Sequence, residues 1–97
     1  MASLWMMELD GVGVDKYEEL RRQVDWEGKV PQGMQMHVAA FDERGLVLTE
    51  LWDSPEDLQA YVESRFLPGI QALGIDVEPG IELYMAHTVF TPAFKPA

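Results

Sequence analysis

The sequence MQMHVAAFDERGLVLTELW, residues 34–52, contains two strand-like runs on either side of a short polar segment. The runs cover residues 34–41 and 46–52, and both are dominated by apolar side chains. Between them, Asp-Glu-Arg-Gly at positions 42–45 has the composition of a tight turn. Two strand-like runs joined by four such residues predict an antiparallel β-hairpin.

The turn also predicts how the two strands pair, because opposed residues follow by counting outward from it. Four predicted pairs share one face: Phe41 with Leu46, Ala39 with Leu48, His37 with Glu50, and Gln35 with Trp52. The opposite face is almost entirely apolar. Opposed residues lie about 5 Å apart at Cβ, so the imidazole of His37 can hydrogen-bond directly to the carboxylate of Glu50.

A carboxylate beside an imidazole either favours the imidazolium or fixes the tautomer of a neutral ring that acts as a base. We therefore interpret His37 and Glu50 as a general base and the group that orients it. The side chains expected to bind the substrate around them are Gln35, Phe41, Trp52 and Tyr61. The alternative is a solvent-exposed cross-strand pair with no catalytic role. A cavity of several hundred Å³ beside His37 would favour an enzyme or a binding protein, and a packed interior a purely structural role.

The remaining elements complete a βαββαβ order in one domain over residues 1–97. An apolar strand is predicted over residues 3–9, and Asp15 with Glu18 resembles a helix N-cap and its capping-box partner. Ser-Pro-Glu-Asp at positions 54–57 predicts the start of a second helix, which Pro68 should kink or break. A last strand is predicted over residues 81–90. This order predicts an α+β, ferredoxin-like fold with two helices on one face of an antiparallel sheet.

The first and last strands are apolar on both faces, whereas two helices can cover only one. A second copy packed sheet against sheet would cover the other face, so we expect a homodimer. On the last strand, Tyr84 is a candidate substrate contact and His87 a candidate second proton-transfer group. Sequence alternation leaves open which face of this strand lines a pocket, and His87 is equally compatible with a dimer interface.

Composition excludes several classes of function. The chain has 97 residues, a formal net charge of -10 and no cysteine. The acidic excess disfavours binding to nucleic acids or to anionic membranes, and the absence of cysteine removes disulfides and thiolate chemistry. Histidine spacing typical of a metal site and glycine motifs typical of nucleotide cofactors are both lacking, so we expect neither a metal nor a cofactor. The N-terminus does not resemble a signal peptide, which predicts a cytoplasmic protein.

The run Gly45–Leu58, GLVLTELWDSPEDL, resembles the strand–Trp–acid–Ser–x–Glu junction of the dimeric α+β barrel superfamily, which includes the antibiotic biosynthesis monooxygenases. The resemblance implies a homodimer with a pocket between sheet and helices, and it carries over only Trp52. The haem-degrading branch is not implied, because Glu8, Tyr61 and Gln71 stand near the positions of its Asn, Trp and His.

By this resemblance, the expected function is a small cofactor-independent tailoring enzyme that acts on an aromatic or polyketide-like molecule. His37 would assist by abstracting a proton, which makes an electron-rich anion. That anion could react with oxygen or cyclise, so a cyclase or isomerase is an open alternative. A non-catalytic dimer that binds a small molecule is the other.

Overall fold

Four antiparallel strands and a helical layer follow one another in the predicted βαββαβ order. The computed structural model describes residues 1–76 and 78–93. Its elements are β1 (Ser3–Asp10), α1 (Val14–Val24), β2 (Met34–Phe41), β3 (Gly45–Trp52), α2 (Pro55–Tyr61), α3 (Leu67–Ala72) and β4 (Gly80–Met85). One π-helical turn, Val62–Phe66, connects α2 to α3 without a break.

The sheet has the strand order β2-β3-β1-β4, with every neighbouring pair antiparallel. The helices cover one face of the two central strands, β1 and β3, and the ferredoxin-like α+β fold is confirmed. Buried side chains of the core include those of Trp5, Met7, Leu9, Leu20, Leu46, Leu48, Trp52 and Phe66. Among the described residues, no helix has the length and apolar character needed to cross a bilayer.

The β2–β3 hairpin is confirmed, and its turn is held by Asp42. The carboxylate Oδ1 of Asp42 accepts the backbone N–H of Arg44 at 2.9 Å and that of Gly45 at 3.1 Å. Gly45 has φ 148°, and a Cβ there would lie 2.6 Å from the carbonyl oxygen of Leu9 on the neighbouring strand. Glycine at this position therefore allows β3 to start close against β1.

The predicted register holds for the three pairs nearest the turn, including the imidazole–carboxylate pair. The fourth prediction is wrong, because Trp52 lies opposite Met34 rather than Gln35. The pairing is irregular between Met34 and Met36, as in a β-bulge that inserts one extra residue. The side-chain amide of Gln35 instead donates to Oδ1 of Asp53 at 2.5 Å.

The N-terminus of α1 differs from the prediction. Gly13, not Asp15, is the N-cap residue, and no side chain caps the helix. The backbone N–H of Tyr17 bonds to the carbonyl of Gly13 at 3.0 Å, so the helix begins at Val14. Asp15 lies in the first turn, where a carboxylate interacts favourably with the positive end of the helix dipole.

The predicted start of the second helix is confirmed, but Pro68 does not break it. Ser54 Oγ accepts the backbone N–H of Asp57 at 3.2 Å, and proline stands at the first helical position. Before Pro68 the helix widens to a π turn, in which the N–H of Leu67 bonds to the carbonyl of Val62. The wider turn accommodates a proline that has no N–H to donate, and the helix continues.

The last strand is shorter than the predicted 81–90, because β4 ends at Met85. The backbone N–H of Ala86 makes a final bond to the carbonyl of Ala2, just before β1 begins. Beyond this point β1 offers no further partner, so the chain leaves the sheet. His87 lies after the strand and is exposed.

We expect Ser54→Ala to lower the free energy of unfolding by about 1 kcal/mol, because the N–H of Asp57 loses its acceptor. Urea unfolding followed by circular dichroism measures the change. Ser64→Ala is the matched control: Ser64 Oγ bonds only back to the carbonyl of Ala60 in the π turn, and its loss should change stability by a few tenths of a kcal/mol at most. Equal losses in the two variants would contradict the capping role of Ser54.

Candidate functional site

Four polar side chains form a continuous hydrogen-bonded chain between the helical layer and the sheet. The hydroxyl of Tyr17 on α1 lies 2.9 Å from Nε2 of His37 on β2. Nδ1 of the same imidazole lies 2.5 Å from Oε2 of Glu50 on β3. The indole Nε1–H of Trp52 donates to Oε1 of Glu50 at 3.1 Å.

Glu50 is the anchor of this chain, because its side chain is 0% exposed. Both carboxylate oxygens meet an N–H donor: one belongs to the ring of His37, and the other to Trp52, two residues along on the same face of β3. A carboxylate buried without such donors would cost several kcal/mol. The alternation of a strand therefore places the acid and its indole donor side by side.

The contacts of His37, whose side chain is 11% exposed, fit a neutral imidazole with its proton on Nδ1. A carboxylate accepts and does not donate, so Nδ1 carries a proton toward Glu50. Burial raises the pKa of the Tyr17 phenol, so this hydroxyl keeps its proton at neutral pH. The Tyr17 hydroxyl can then donate to Nε2 of the neutral ring. In this tautomer Nε2, the ring nitrogen that does not face Glu50, is the one that can accept a proton.

Trp26 covers the imidazole of His37. The two ring centroids are 4.4 Å apart at an interplanar angle of 33°, and Trp26 also lies 5.9 Å from the ring of Tyr17. Only 4% of Trp26 is exposed. Trp26 belongs to the segment between α1 and β2, so a loop rather than a regular element forms this side of the site.

An open cleft of about 600 Å³ lies beside these rings. Its lining includes Tyr17, Arg21, Trp26, Glu27, Gln35 and His37. Arg21 pairs with Glu27 at the edge of the cleft, and this guanidinium lowers the pKa of the Glu27 carboxyl. By the criterion set out above, a cavity of this size favours an enzyme or a binding protein over a filled structural core.

Of the predicted substrate-binding residues, Trp52 belongs to the polar chain, Phe41 and Tyr61 pack beside it, and none of these three lines the cleft. Phe41 meets the ring of Tyr17 edge to face at 5.9 Å, and the ring of Trp52 lies 5.0 Å from that of Tyr61. The Tyr61 hydroxyl is buried and has no hydrogen-bond partner among the described residues. Burial is also the main cause that raises the pKa of Tyr61. Gln35 lines the cleft, although it does not pair with Trp52 as predicted.

Two predicted site residues lie away from this group within a single chain. Tyr84 is opposite Leu4 on β1, which turns its side chain to the sheet face that the helices do not cover. Its hydroxyl bonds to Glu82 on the same strand. His87 lies past the end of β4, is exposed and does not line the cleft.

Sequence reasoning did not place Tyr17 or Trp26 beside His37. Tyr17 belongs to the apolar stripe of α1, a pattern that indicates a core position and contains no sign of a histidine partner. Trp26 follows Asp25, which has the left-handed backbone angles φ 56° and ψ 49° at the end of α1. The sequence pattern does not predict that this turn directs the indole toward β2. Among the described residues, no group of three or more His, Asp or Glu side chains could hold a metal ion.

Solved structures with the same architecture include several oxygenase-like proteins. SnoaB, a cofactor-independent oxygenase from Streptomyces nogalater, has a TM-score of 0.66 at 13% identity, over 91% of this chain and 94% of that protein. A proposed antibiotic biosynthesis monooxygenase from Deinococcus radiodurans has a TM-score of 0.65 at 18% identity, over 94% and 97%. The chain therefore shares its fold with these proteins.

The predicted resemblance is thus confirmed at the level of the fold. A protein of unknown function from Nitrosomonas europaea has a TM-score of 0.71 at 14% identity, over 96% of this chain and 95% of that one. The shared fold therefore does not by itself assign an activity. No protein-family model matches the sequence, and no curated protein matches it.

We expect Glu50→Gln to reverse the tautomer of His37 without unfolding the protein. A glutamine oxygen can still accept from Trp52, but its amide would then donate to Nδ1 and leave the ring proton on Nε2. Long-range ¹⁵N–¹H NMR correlations of the imidazole distinguish the two forms. Glu8→Gln, at an exposed position of β1, is the control and should leave the spectrum of His37 unchanged. A wild-type imidazole pattern in Glu50→Gln would contradict the assignment.

Proposed function

We propose that this protein is a cofactor-independent enzyme that abstracts a proton from a small aromatic or polyketide-like substrate. The observation that carries the proposal is the position of His37, which is held at Nδ1 by the buried Glu50, meets the Tyr17 hydroxyl at Nε2 and lines the cleft. A base that is oriented by a carboxylate and open to a cavity can remove a proton from a phenol or an acidic C–H. The proposed catalytic residues are His37 and Glu50.

Two proton routes fit the contact between Tyr17 and His37. In one, a substrate hydroxyl displaces Tyr17 and donates its proton directly to Nε2. In the other, Tyr17 passes its proton to Nε2 and takes one from the substrate. Because burial raises the pKa of Tyr17, a free tyrosinate is disfavoured, so the direct route is the one we propose. Before a substrate binds, the hydroxyl of Tyr17 then occupies the position that the substrate hydroxyl takes.

Removal of the proton leaves an electron-rich anion that can react with molecular oxygen. For a substrate methylene beside an aromatic ketone, the balanced reaction is R₂CH₂ + O₂ → R₂C=O + H₂O. The carbon is oxidised by four electrons, one oxygen atom enters the product and the other leaves as water. The activity of SnoaB, named as a cofactor-independent oxygenase, supports this choice over cyclisation or isomerisation by the same anion.

The substrate-binding surface that we propose is aromatic on several sides. Gln35 supplies an amide at the cleft, and Phe41 packs against the edge of Tyr17. Trp52 and Tyr61 support the polar chain from the core. A role for Tyr84 or His87 requires a contribution from a partner copy and stays a prediction.

We also propose a homodimer formed by the sheet face opposite the helices. Val38, Thr49 and Met6 lie abreast across β2, β3 and β1 on this face, and Val38 is 46% exposed. A contiguous apolar surface of this kind is rarely left in water by a soluble protein. A two-fold axis would pack this row of side chains against the same row of a second copy.

His37→Gln should lower turnover of anthrone or 1,4-naphthohydroquinone by at least about 10²-fold, the usual contribution of a general base. Oxygen uptake and product absorbance measure the rate, with Arg22→Gln, at an exposed position in the last turn of α1, as the control. Tyr17→Phe should retain turnover if the substrate donates directly to Nε2, and lose it if Tyr17 relays the proton. Unchanged turnover in His37→Gln would remove His37 as the base. Binding without turnover in the wild type would favour a binding protein.

Val38→Glu should shift the protein from dimer to monomer, because two-fold symmetry brings the new carboxylates together in a desolvated interface. Sedimentation velocity gives the mass of the particle. Gln23→Glu, an added charge at an exposed position of α1, is the control and should leave the dimer intact. A monomeric wild-type protein at high micromolar concentration would contradict the proposed interface.

A further inference from the structure

Arg65, in the π turn Val62–Phe66, binds the backbone at the end of α1 with three hydrogen bonds. Its Nη2 donates to the carbonyl of Val24 at 2.8 Å and to that of Asp25 at 3.1 Å. Its Nη1 donates to the carbonyl of Lys29 at 2.7 Å. The guanidinium therefore connects two parts of the chain that are 36 to 41 residues apart in sequence.

These carbonyls need a cation with more than one donor. The last carbonyls of a helix have no partner within it, and they form the negative end of the helix dipole. A guanidinium presents several N–H groups in a planar fork and can reach three carbonyls at once, whereas an ammonium is a single point of charge. Arg65 is thus suited to fix the geometry of a turn.

Arg65 lies within the π turn, in which the backbone N–H of Leu67 bonds to the carbonyl of Val62. Arg65 also lies over the ring of Tyr61, with the guanidinium carbon 5.7 Å from the ring centroid. This contact holds the side chain between the core aromatic cluster and the loop.

The segment held by Arg65 contains Trp26. Asp25 and Lys29 are the two ends of a five-residue turn, which is closed internally by a 2.9 Å bond from the N–H of Lys29 to the carbonyl of Asp25. The carboxylate of Asp25 also accepts the N–H of Gly28 at 3.2 Å. Because Arg65 binds both ends, the indole between them is held over His37.

We propose that Arg65 is the positioning residue that holds Trp26 over the imidazole of His37. Arg65 touches neither the cleft rings nor a reacting atom, and acts through the backbone of residues 25–29. The Trp26 indole then forms a preorganised wall against which a flat aromatic substrate stacks beside the base. This role deepens the proposed function and rests on it for its consequence in substrate affinity.

The test uses the full chain and four variants. Trp26→Leu defines the NMR signals of His37 when no indole covers the ring, since an aromatic ring shifts protons above its face upfield. Arg65→Met should move the His37 ring protons at least halfway toward the Trp26→Leu positions. Arg65→Lys should give a smaller shift, because an ammonium replaces only part of the fork. Arg22→Met, at an exposed position in the last turn of α1, is the matched control and should give the wild-type spectrum.

Affinity for 1-naphthol, a flat phenol, gives the second readout. We expect Arg65→Met to raise the Kd for 1-naphthol by about threefold to tenfold. In this variant binding must order the indole of Trp26, which is already ordered in the wild type. A purely structural role for Arg65 would lower the urea midpoint while leaving the His37 signals of the folded protein unchanged. That pattern would overturn the proposal.

The remaining outcomes are also decisive. If Trp26→Leu does not move the His37 signals, Trp26 does not cover the imidazole and the proposal fails. If Arg65→Met does not fold, the Arg65→Lys spectrum decides, and wild-type positions for His37 there overturn the proposal. The NMR comparison requires no turnover. A His37→Gln variant that stays active would refute the proposed enzymatic function, and it would leave the NMR test of Arg65 unaffected.

Discussion

The buried carboxylate of Glu50 is the constraint on which the other parts of the site depend. Removing a carboxylate from water costs several kcal/mol unless its oxygens find donors, and here the indole of Trp52 and the imidazole of His37 supply them. A slip of one residue in the β2–β3 register would turn the acid to the opposite, largely apolar face of the sheet. The Asp42–Gly45 turn and the packing of β3 against β1 therefore stabilise the site as well as the hairpin.

The sheet and the helical layer contribute different halves of the site. The sheet provides the base, the acid and the indole donor, all on adjacent strands whose spacing is rigid. The helical layer provides the phenol of Tyr17 and, through the loop after α1, the indole of Trp26. Strand pairing fixes the groups from the sheet, whereas Trp26 is placed by the turn after α1 that Arg65 binds.

The helices also explain why part of the sheet is left exposed. They pack over the central strands, so Trp5 and Met7 are buried whereas Leu83 and Ile81, their partners on the edge strand β4, are about half exposed. On the opposite face, no helix or strand among residues 1–76 and 78–93 covers the sheet. The proposed homodimer would cover that surface, and it would also bring Tyr84 into an interface rather than into water.

The sequence by itself determined the order of elements, the hairpin turn, the Ser54 cap and the pairing of His37 with Glu50, because each depends on neighbours within a few residues or on counting from one turn. The bulge at Gln35 and the early end of β4 depended on pairing with other strands. The positions of Tyr17 and Trp26 beside His37 were not predicted for the same reason: one resembles a core residue of a helix and the other a loop residue. Only the packing of α1 and its following turn over β2 brings them to His37, and no local pattern specifies that approach.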